Sequence, residues 1–164
     1  MSTLSAVFDV IEFRSDDVHI SYLPMPHIFE KLCFCSMICN GCKIGLYHGN
    51  TLKLKEDLAE LRPTFFPSVP RLFSRMYDVI NGMFRDATGV KKSLIEKALA
   101  AKLDHLKKTG LTTHGLWDAL VFKKTKAVLG GRVRLCVTGS APIAADVLDF
   151  LKVCFCAPIL EGYG

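Results

Sequence analysis

Residues 130–164 read GGRVRLCVTGSAPIAADVLDFLKVCFCAPILEGYG, and the reading of this stretch decides the fold. Gly130-Gly131 ends a helix, because glycine is the usual residue just past a helix C-terminus. Residues 133–138 are a short apolar, β-branched run that reads as a strand. Thr138-Gly139-Ser140-Ala141-Pro142 is a tight turn of small residues, 143–152 a helix, 158–160 a second strand, and Glu161-Gly162-Tyr163-Gly164 a second turn. Strand, helix, strand makes a β-α-β unit, which implies parallel pairing and a right-handed crossover. Ligands of open α/β sheets gather at the carboxyl ends of the strands, which is where both turns lie.

Upstream, strands and helices keep alternating. Residues 1–17 are weakly patterned; Val7, Phe8, Val10, Ile11 and Phe13 could form the buried side of a helix or of a strand, with the helix favoured. Residues 18–23 read as a strand closed by Pro24, and Pro24-Met25-Pro26 as a rigid corner with Pro26 in the first turn of a helix. That helix, from His27 to about Asn40, has almost no polar face and is expected to be buried nearly all round. Gly41 stops it, 44–47 is a short strand, Thr51 is an N-cap candidate, and Leu54, Leu58 and Leu61 mark one stripe of a short helix. Arg62-Pro63 breaks that helix, 64–66 is a strand, and Leu72, Phe73, Met76, Val79, Ile80, Met83 and Phe84 recur at amphipathic spacing. Two more helices follow, one carrying Ile95, Leu99, Leu103 and Leu106, the other Trp117, Leu120, Val121 and Val128. Residues 86–115 are the most polar part and are expected to be the most exposed. The fold class is therefore α/β: a mostly parallel sheet with helices on both faces.

The 164 residues suffice for one domain with a substantial core, and a hydrophobic content of 50% with eleven Phe argues against disorder. The net charge of +5 sits largely in lysines such as Lys91-Lys92, Lys107-Lys108 and Lys123-Lys124, on helix faces and helix ends. A nucleic-acid surface would need aromatics interleaved with a dense basic stripe, and none is present, so no nucleic-acid partner is expected. An anionic ligand or membrane surface fits the charge better. The start, Met1-Ser2-Thr3-Leu4, lacks the charged region and apolar core of a secretory signal. The longest apolar segment, 32–46, is interrupted by Asn40, Gly41 and Lys43 and is too short to span a bilayer. Seven cysteines without such a signal imply reduced thiols in, or facing, the cytosol.

Each candidate site has a structural alternative beside the functional reading. Gly139 lets the chain turn sharply and lets a ligand approach, with free N–H groups at the next helix start to meet a phosphate or ring; an ordinary βα turn looks the same. Tyr163 between two glycines could stack on a base, and Glu161 could accept from an exocyclic amine; a strand ending in a loop looks the same. His27 at a helix start could donate to a carboxylate or simply be a satisfied core partner, and Glu30 suits a capping role. Cys35, Cys39 and Cys42 have C-x3-C-x2-C spacing, which some cluster proteins use; as free cysteines they more commonly act as small core hydrophobes, as do Cys33, Cys136, Cys154 and Cys156. No metal ligand set is expected. Ser140 has no partner at a triad spacing and no complete catalytic set is present.

Five stretches in order, 22–30 (YLPMPHIFE), 62–71 (RPTFFPSVPR), 130–134 (GGRVR), 138–142 (TGSAP) and 161–164 (EGYG), resemble long-chain fatty acyl-CoA synthetases of the adenylate-forming superfamily. The resemblance runs from about Asp17 to the last residue. It implies that 1–164 is a partial AMP-binding domain, part of the large N-terminal domain of such enzymes, with a helical insertion at about 86–128. It implies ligase chemistry: ATP and a fatty carboxylate give an acyl-adenylate and pyrophosphate, then the CoA thiol displaces AMP. By the same resemblance Gly139, Ser140, Ala141 and Pro142 line the adenine and ribose side, and Glu161, Gly162, Tyr163 and Gly164 hold the adenine. His27 then sits near the fatty carboxylate, and the apolar helix after it walls the acyl tunnel. Pro26 departs from the family's common Ala. The family's phosphate loop is expected upstream, and the Thr and the Glu that hold phosphate and Mg²⁺ downstream, so the chain is expected to be an internal piece that does not catalyse alone. A non-catalytic nucleotide- or acyl-binding module is the alternative. Family resemblance further suggests peripheral association with the cytosolic face of endoplasmic reticulum, mitochondrial outer or peroxisomal membranes.

Overall fold

The computed structural model of the protein describes residues 11–139 and 141–162. Five strands, β1 (Val18–Ser21), β2 (Lys43–Leu46), β3 (Phe65–Ser68), β4 (Leu135–Gly139) and β5 (Ile159–Gly162), form one sheet in the order β2-β1-β3-β4-β5. Every pairing is parallel. The helices are α1 (Ile28–Cys39), α2 (Leu54–Leu61), α3 (Pro70–Arg85), α4 (Gly89–Thr109), α5 (Gly115–Leu120), α6 (Lys123–Ala127) and α7 (Ala145–Phe155), with a single 3₁₀ turn at Thr51–Lys53. The chain runs outward from β1 to β2, then returns past β1 to β3 and proceeds the other way. The strand order therefore reverses between β1 and β3, which is the switch point of a doubly wound sheet.

That reversal puts the helices on opposite faces. Phe66 and Cys136 point to one face, into a core with Leu58 of α2, Phe73 and Ile80 of α3, Ala98 of α4 and Leu151 of α7. Phe65, Leu135 and Val137 point to the other, where Cys33 and Met37 of α1 cover them with Ile11. Adjacent residues of β3 thus feed different cores, as the two-residue period of a strand requires. With both faces covered, β3 and β4 are buried at every position.

Several boundaries differ from the sequence expectation, each for a local reason. Gly139, Glu161 and Gly162 are strand residues, not turn residues: Thr138 pairs with Glu161 and Gly139 with Gly162. Gly139 is not among the glycines in the left-handed region, so no sharp turn requires it. Asn50, not Thr51, caps the short turn, its Oδ1 accepting from Leu52 N–H at 3.0 Å. Pro26 precedes the helix; its N-cap is His27, whose own N–H donates to Pro24 O at 2.9 Å across the Pro24–His27 turn. The helix expected over Trp117–Val128 is two, α5 and α6, broken at Val121-Phe122, where Phe122 is fully buried. Ile11 and Phe13 are not helical; Val7, Phe8 and Val10 lie outside the described residues.

The largest revision concerns α1. Only Glu30, Cys33, Ser36 and Met37 are buried, while Ile28 (63% exposed), Cys35, Ile38 and Cys39 face out. An all-apolar helix does not encode which face meets the sheet; only packing chooses it. The helix ends where expected: Gly41 is left-handed, its N–H donates to Ile38 O at 3.0 Å, and Cys42 N–H donates to Met37 O at 2.9 Å.

The 86–115 region is largely exposed, as its polarity implies, and a few residues such as Ile95, Ala98 and Lys102 turn inward. Lys102 of α4 is 1% exposed and lies against α7. Its ammonium donates to Asp118 Oδ1 at 2.5 Å, Val153 O at 2.9 Å and Cys156 Sγ at 3.2 Å, and sits 4.7 Å from the centre of the Phe122 ring. A buried cation needs such a complete set of partners. For Asp118, partial burial pushes the carboxyl up, but the hydrogen bonds from Lys102 and His114 N–H bring it below its usual range. No helix among the described residues is long and apolar enough to cross a membrane.

Candidate functional site

The carboxyl ends of β1, β3, β4 and β5 share one edge of the sheet, and α1 starts above it. His27 is exposed at the N-cap of α1, and its Nδ1 accepts from Phe29 N–H at 3.4 Å. It is not a partner of the core. Phe29 reaches across to β4: a Cβ placed on Gly139 would lie 3.5 Å from the Phe29 ring and 3.7 Å from Gly162 O. The structure therefore gathers the first turn of α1, Gly139 and Gly162 at one corner. Ala141 and Pro142 are exposed just beyond Gly139. Glu161 is exposed, and its Oε1 accepts from Ile143 N–H at 3.3 Å, which ties the end of β5 to the chain entering α7. Ser140, Tyr163 and Gly164 lie outside the described residues.

Sequence reading missed the residues at the switch point itself. Tyr22, at the end of β1, donates to Ser68 Oγ at the end of β3 at 2.8 Å, both side chains buried. Burial pushes the Tyr22 phenol well above its usual range, so it stays a donor. Ser68 is in register with Thr138, whose buried Oγ1 meets no partner among the described residues. Tyr22 and Ser68 are 46 positions apart, so no local period could have paired them. Tyr22→Phe is expected to cost about 1–2 kcal/mol in denaturant unfolding, since Ser68 stays buried and loses its donor. A loss below about 0.5 kcal/mol, the size of an ordinary surface change, would show that the bond contributes nothing.

Glu30 does not cap α1. It is fully buried against His19 of β1, with Nε2 and Oε1 3.1 Å apart. The cysteines divide: Cys33, Cys136, Cys154 and Cys156 are buried as expected, but Cys35 and Cys39 are exposed and Cys42 is half-buried with Sγ 3.1 Å from Arg14 O. Burial and the Glu30 charge push the Cys33 thiol up to about 12. Among the described residues no group of three His, Cys, Asp or Glu could hold a metal ion.

The architecture is that of a doubly wound α/β domain, with its open edge at the carboxyl ends of β1, β3, β4 and β5. A family model described as AMP-binding enzyme matches residues 1–164, and the chain belongs to that family. It is 45% identical over 153 residues to the Arabidopsis thaliana protein named long chain acyl-CoA synthetase 7, peroxisomal, covering 93% of this chain and 22% of that one. It is likewise 45% identical over 149 residues to long-chain-fatty-acid–CoA ligase 1 of Homo sapiens, covering 91% and 21%. The chain thus spans about a fifth of the length of these relatives. Among solved structures, the A domain of a carboxylic acid reductase from Segniliparus rugosus, in complex with AMP and a co-purified carboxylic acid, superposes with a TM-score of 0.60. That match is at 19% identity and covers 90% of this chain and 20% of the other. The N-terminal domain of FACL13 from Mycobacterium tuberculosis gives 0.60 at 15% identity, over 99% and 31%. These two likenesses establish the fold: a mostly parallel sheet of the adenylation-domain type.

Proposed function

We propose that this chain forms the base- and carboxylate-facing part of the nucleotide site of a long-chain fatty acid–CoA ligase. The reaction is acyl-adenylate formation from ATP and a fatty acid with release of pyrophosphate, followed by displacement of AMP by the CoA thiol. The observation that carries the reading is the corner where Phe29 meets Gly139. It brings His27 to the same end of the sheet as Gly139, Ala141, Pro142, Glu161 and Gly162. In the proposed roles, the small residues Gly139, Ser140, Ala141 and Pro142 let the adenine and ribose approach the backbone. Glu161, Gly162 and Gly164 bound the base, and Tyr163 stacks on it. His27 donates from Nε2 to the carboxylate or its adenylate. The outward stripe Ile28, Cys35, Ile38 and Cys39 is apolar and exposed, which suits the wall of an acyl tunnel. The segment 86–128 would be the helical insertion of a partial AMP-binding domain.

Mg²⁺ would serve the phosphate side by neutralising developing charge. Among the described residues no group of three His, Cys, Asp or Glu could hold it. The proposed setting is peripheral, at the cytosolic face of an endoplasmic reticulum, mitochondrial outer or peroxisomal membrane, which the charge of +5 favours.

The test is equilibrium binding of a non-hydrolysable palmitoyl-adenylate analogue, alongside pyrophosphate release with palmitate, ATP and Mg²⁺. Saturable binding is expected, weakened about tenfold or more by His27→Ala and by Glu161→Ala, each of which removes a hydrogen bond to a charged or strongly polar partner. Folded wild-type protein that shows neither binding nor turnover would sink the reading. Binding without pyrophosphate release would mark a non-catalytic module.

A further inference from the structure

We propose that Glu30 and His19 form a positioning pair that sets the aim of His27; this rests on the reading of His27 as the carboxylate-facing group. Glu30 is the third residue of α1. A glutamate there ordinarily turns back to the N-cap N–H. Here the His27 N–H already donates to Pro24 O at 2.9 Å, and Glu30 turns into the sheet instead. Both Glu30 and His19 are 0% exposed, and His19 Nε2 donates to Glu30 Oε1 at 3.1 Å. His19 cannot drift, since it lies in β1 in register with Ile44 of β2 and Phe65 of β3, its ring 5.8 Å from that of Phe65.

The arrangement is expensive. His19 Nδ1 and Glu30 Oε2 meet no hydrogen-bond partner among the described residues, and buried polar atoms are rarely left so. Two apolar side chains would seal the same interface at lower cost. What a directional bond adds is control of rotation: apolar contacts let a helix turn about its axis, whereas the bond holds its first turn at one angle. Phe29, packed toward Gly139, holds the same turn from the β4 side. His27 lies at the head of this clamped turn. Its Nδ1 accepts from Phe29 N–H, so the neutral ring carries its proton on Nε2, the nitrogen left to donate to an anionic oxygen. Both the direction and the tautomer of His27 therefore depend on how the first turn is seated.

The experiment reads the ring-nitrogen chemical shifts of His27 by NMR in the wild-type chain, in Glu30→Gln, and in Met37→Ala. Met37→Ala weakens packing on the same face of α1 without touching the pair. Expected is a predominant Nε2–H tautomer in wild type and Met37→Ala, and a mixture of tautomers in Glu30→Gln. Affinity for the palmitoyl-adenylate analogue should fall in Glu30→Gln by as much as about a hundredfold, the scale of a small misplacement at a reacting group. A folded Glu30→Gln with unchanged His27 shifts overturns the proposal. If Glu30→Gln does not fold, the double variant His19→Leu/Glu30→Leu takes its place, with the same two outcomes. The shifts need no ligand, so failure of the wild-type chain to bind the analogue would count against the ligase reading and not against the pairing.

Discussion

Gly130→Ala is expected to destabilise the protein by about 2–5 kcal/mol, measured by denaturant unfolding. Two costs add. Gly130 has φ of +82°, a region that costs an L-residue about 1–2 kcal/mol. A Cβ there would also lie 2.4 Å from Leu58 O and 2.8 Å from Arg62 Cα, both backbone of or beside α2, where crowding costs about 1–3 kcal/mol. Neither atom can swing away as a side chain would. The close approach is held from both sides, since Arg62 Nε donates to Gly130 O at 3.2 Å. Gly131 is the internal control. Its φ is +79°, but nothing lies within 4 Å of its Cβ position. Gly131→Ala should lose only the conformational part, about 1–2 kcal/mol. Equal losses at the two positions would show that contact with α2 plays no part.

Asp17→Asn is expected to cost about 3 kcal/mol near neutral pH, the lower end for removing one partner of a buried ion pair, because Arg134 keeps some solvent. Asp17 lies at the amino end of β1 and joins three strands. Its Oδ1 accepts from Thr64 Oγ1 at 2.6 Å, just before β3, and from Arg134 Nε at 2.8 Å, just before β4. Its Oδ2 accepts from Arg14 N–H at 2.8 Å and from the Arg134 guanidinium. Burial pushes the Asp17 carboxyl up; the hydrogen bonds from Arg134, Thr64 and Arg14 N–H outweigh it and hold the carboxyl below its usual range. A carboxyl depressed in the folded state stabilises the fold above its unfolded value, about pH 4, and that contribution is lost as pH falls through the folded value. The gap between wild type and Asp17→Asn should therefore be constant from about pH 5 to 8 and close below about pH 4. A gap that persisted unchanged into acid would mean the carboxylate charge is not what stabilises the junction.

Much of the fold was legible because parallel strands buried on both faces are continuous apolar runs bounded by Gly and Pro. Residues 64–66, 133–138 and 158–160 were readable on that ground, although each strand proper is shifted toward its carboxyl end. The shift matters for the site: Gly139, Glu161 and Gly162 belong to the ladder that holds the edge together. Arg134 was legible as part of a recognisable stretch, but its partner Asp17 is 117 positions away, and no spacing rule connects them. Glu30 was misread for a physical reason. At the third position of a helix a carboxylate has two satisfactory fates, back to the cap or inward to a buried donor, and only His19 on a separate strand decides between them.

The amino-acid sequence by itself determined the alternation of strands and helices, the stops at Gly41 and Gly130, and the family to which the chain belongs. These depend on residue type and on neighbours three or four positions away, so they survive without three-dimensional information. Tertiary structure alone decided which face of α1 meets the sheet, and that Phe29 seats the first turn of that helix against Gly139. It also decided that Tyr22 meets Ser68 at the switch point. Each of these is a contact between elements distant in the chain, settled by which arrangement buries apolar surface while leaving the fewest buried polar atoms without partners.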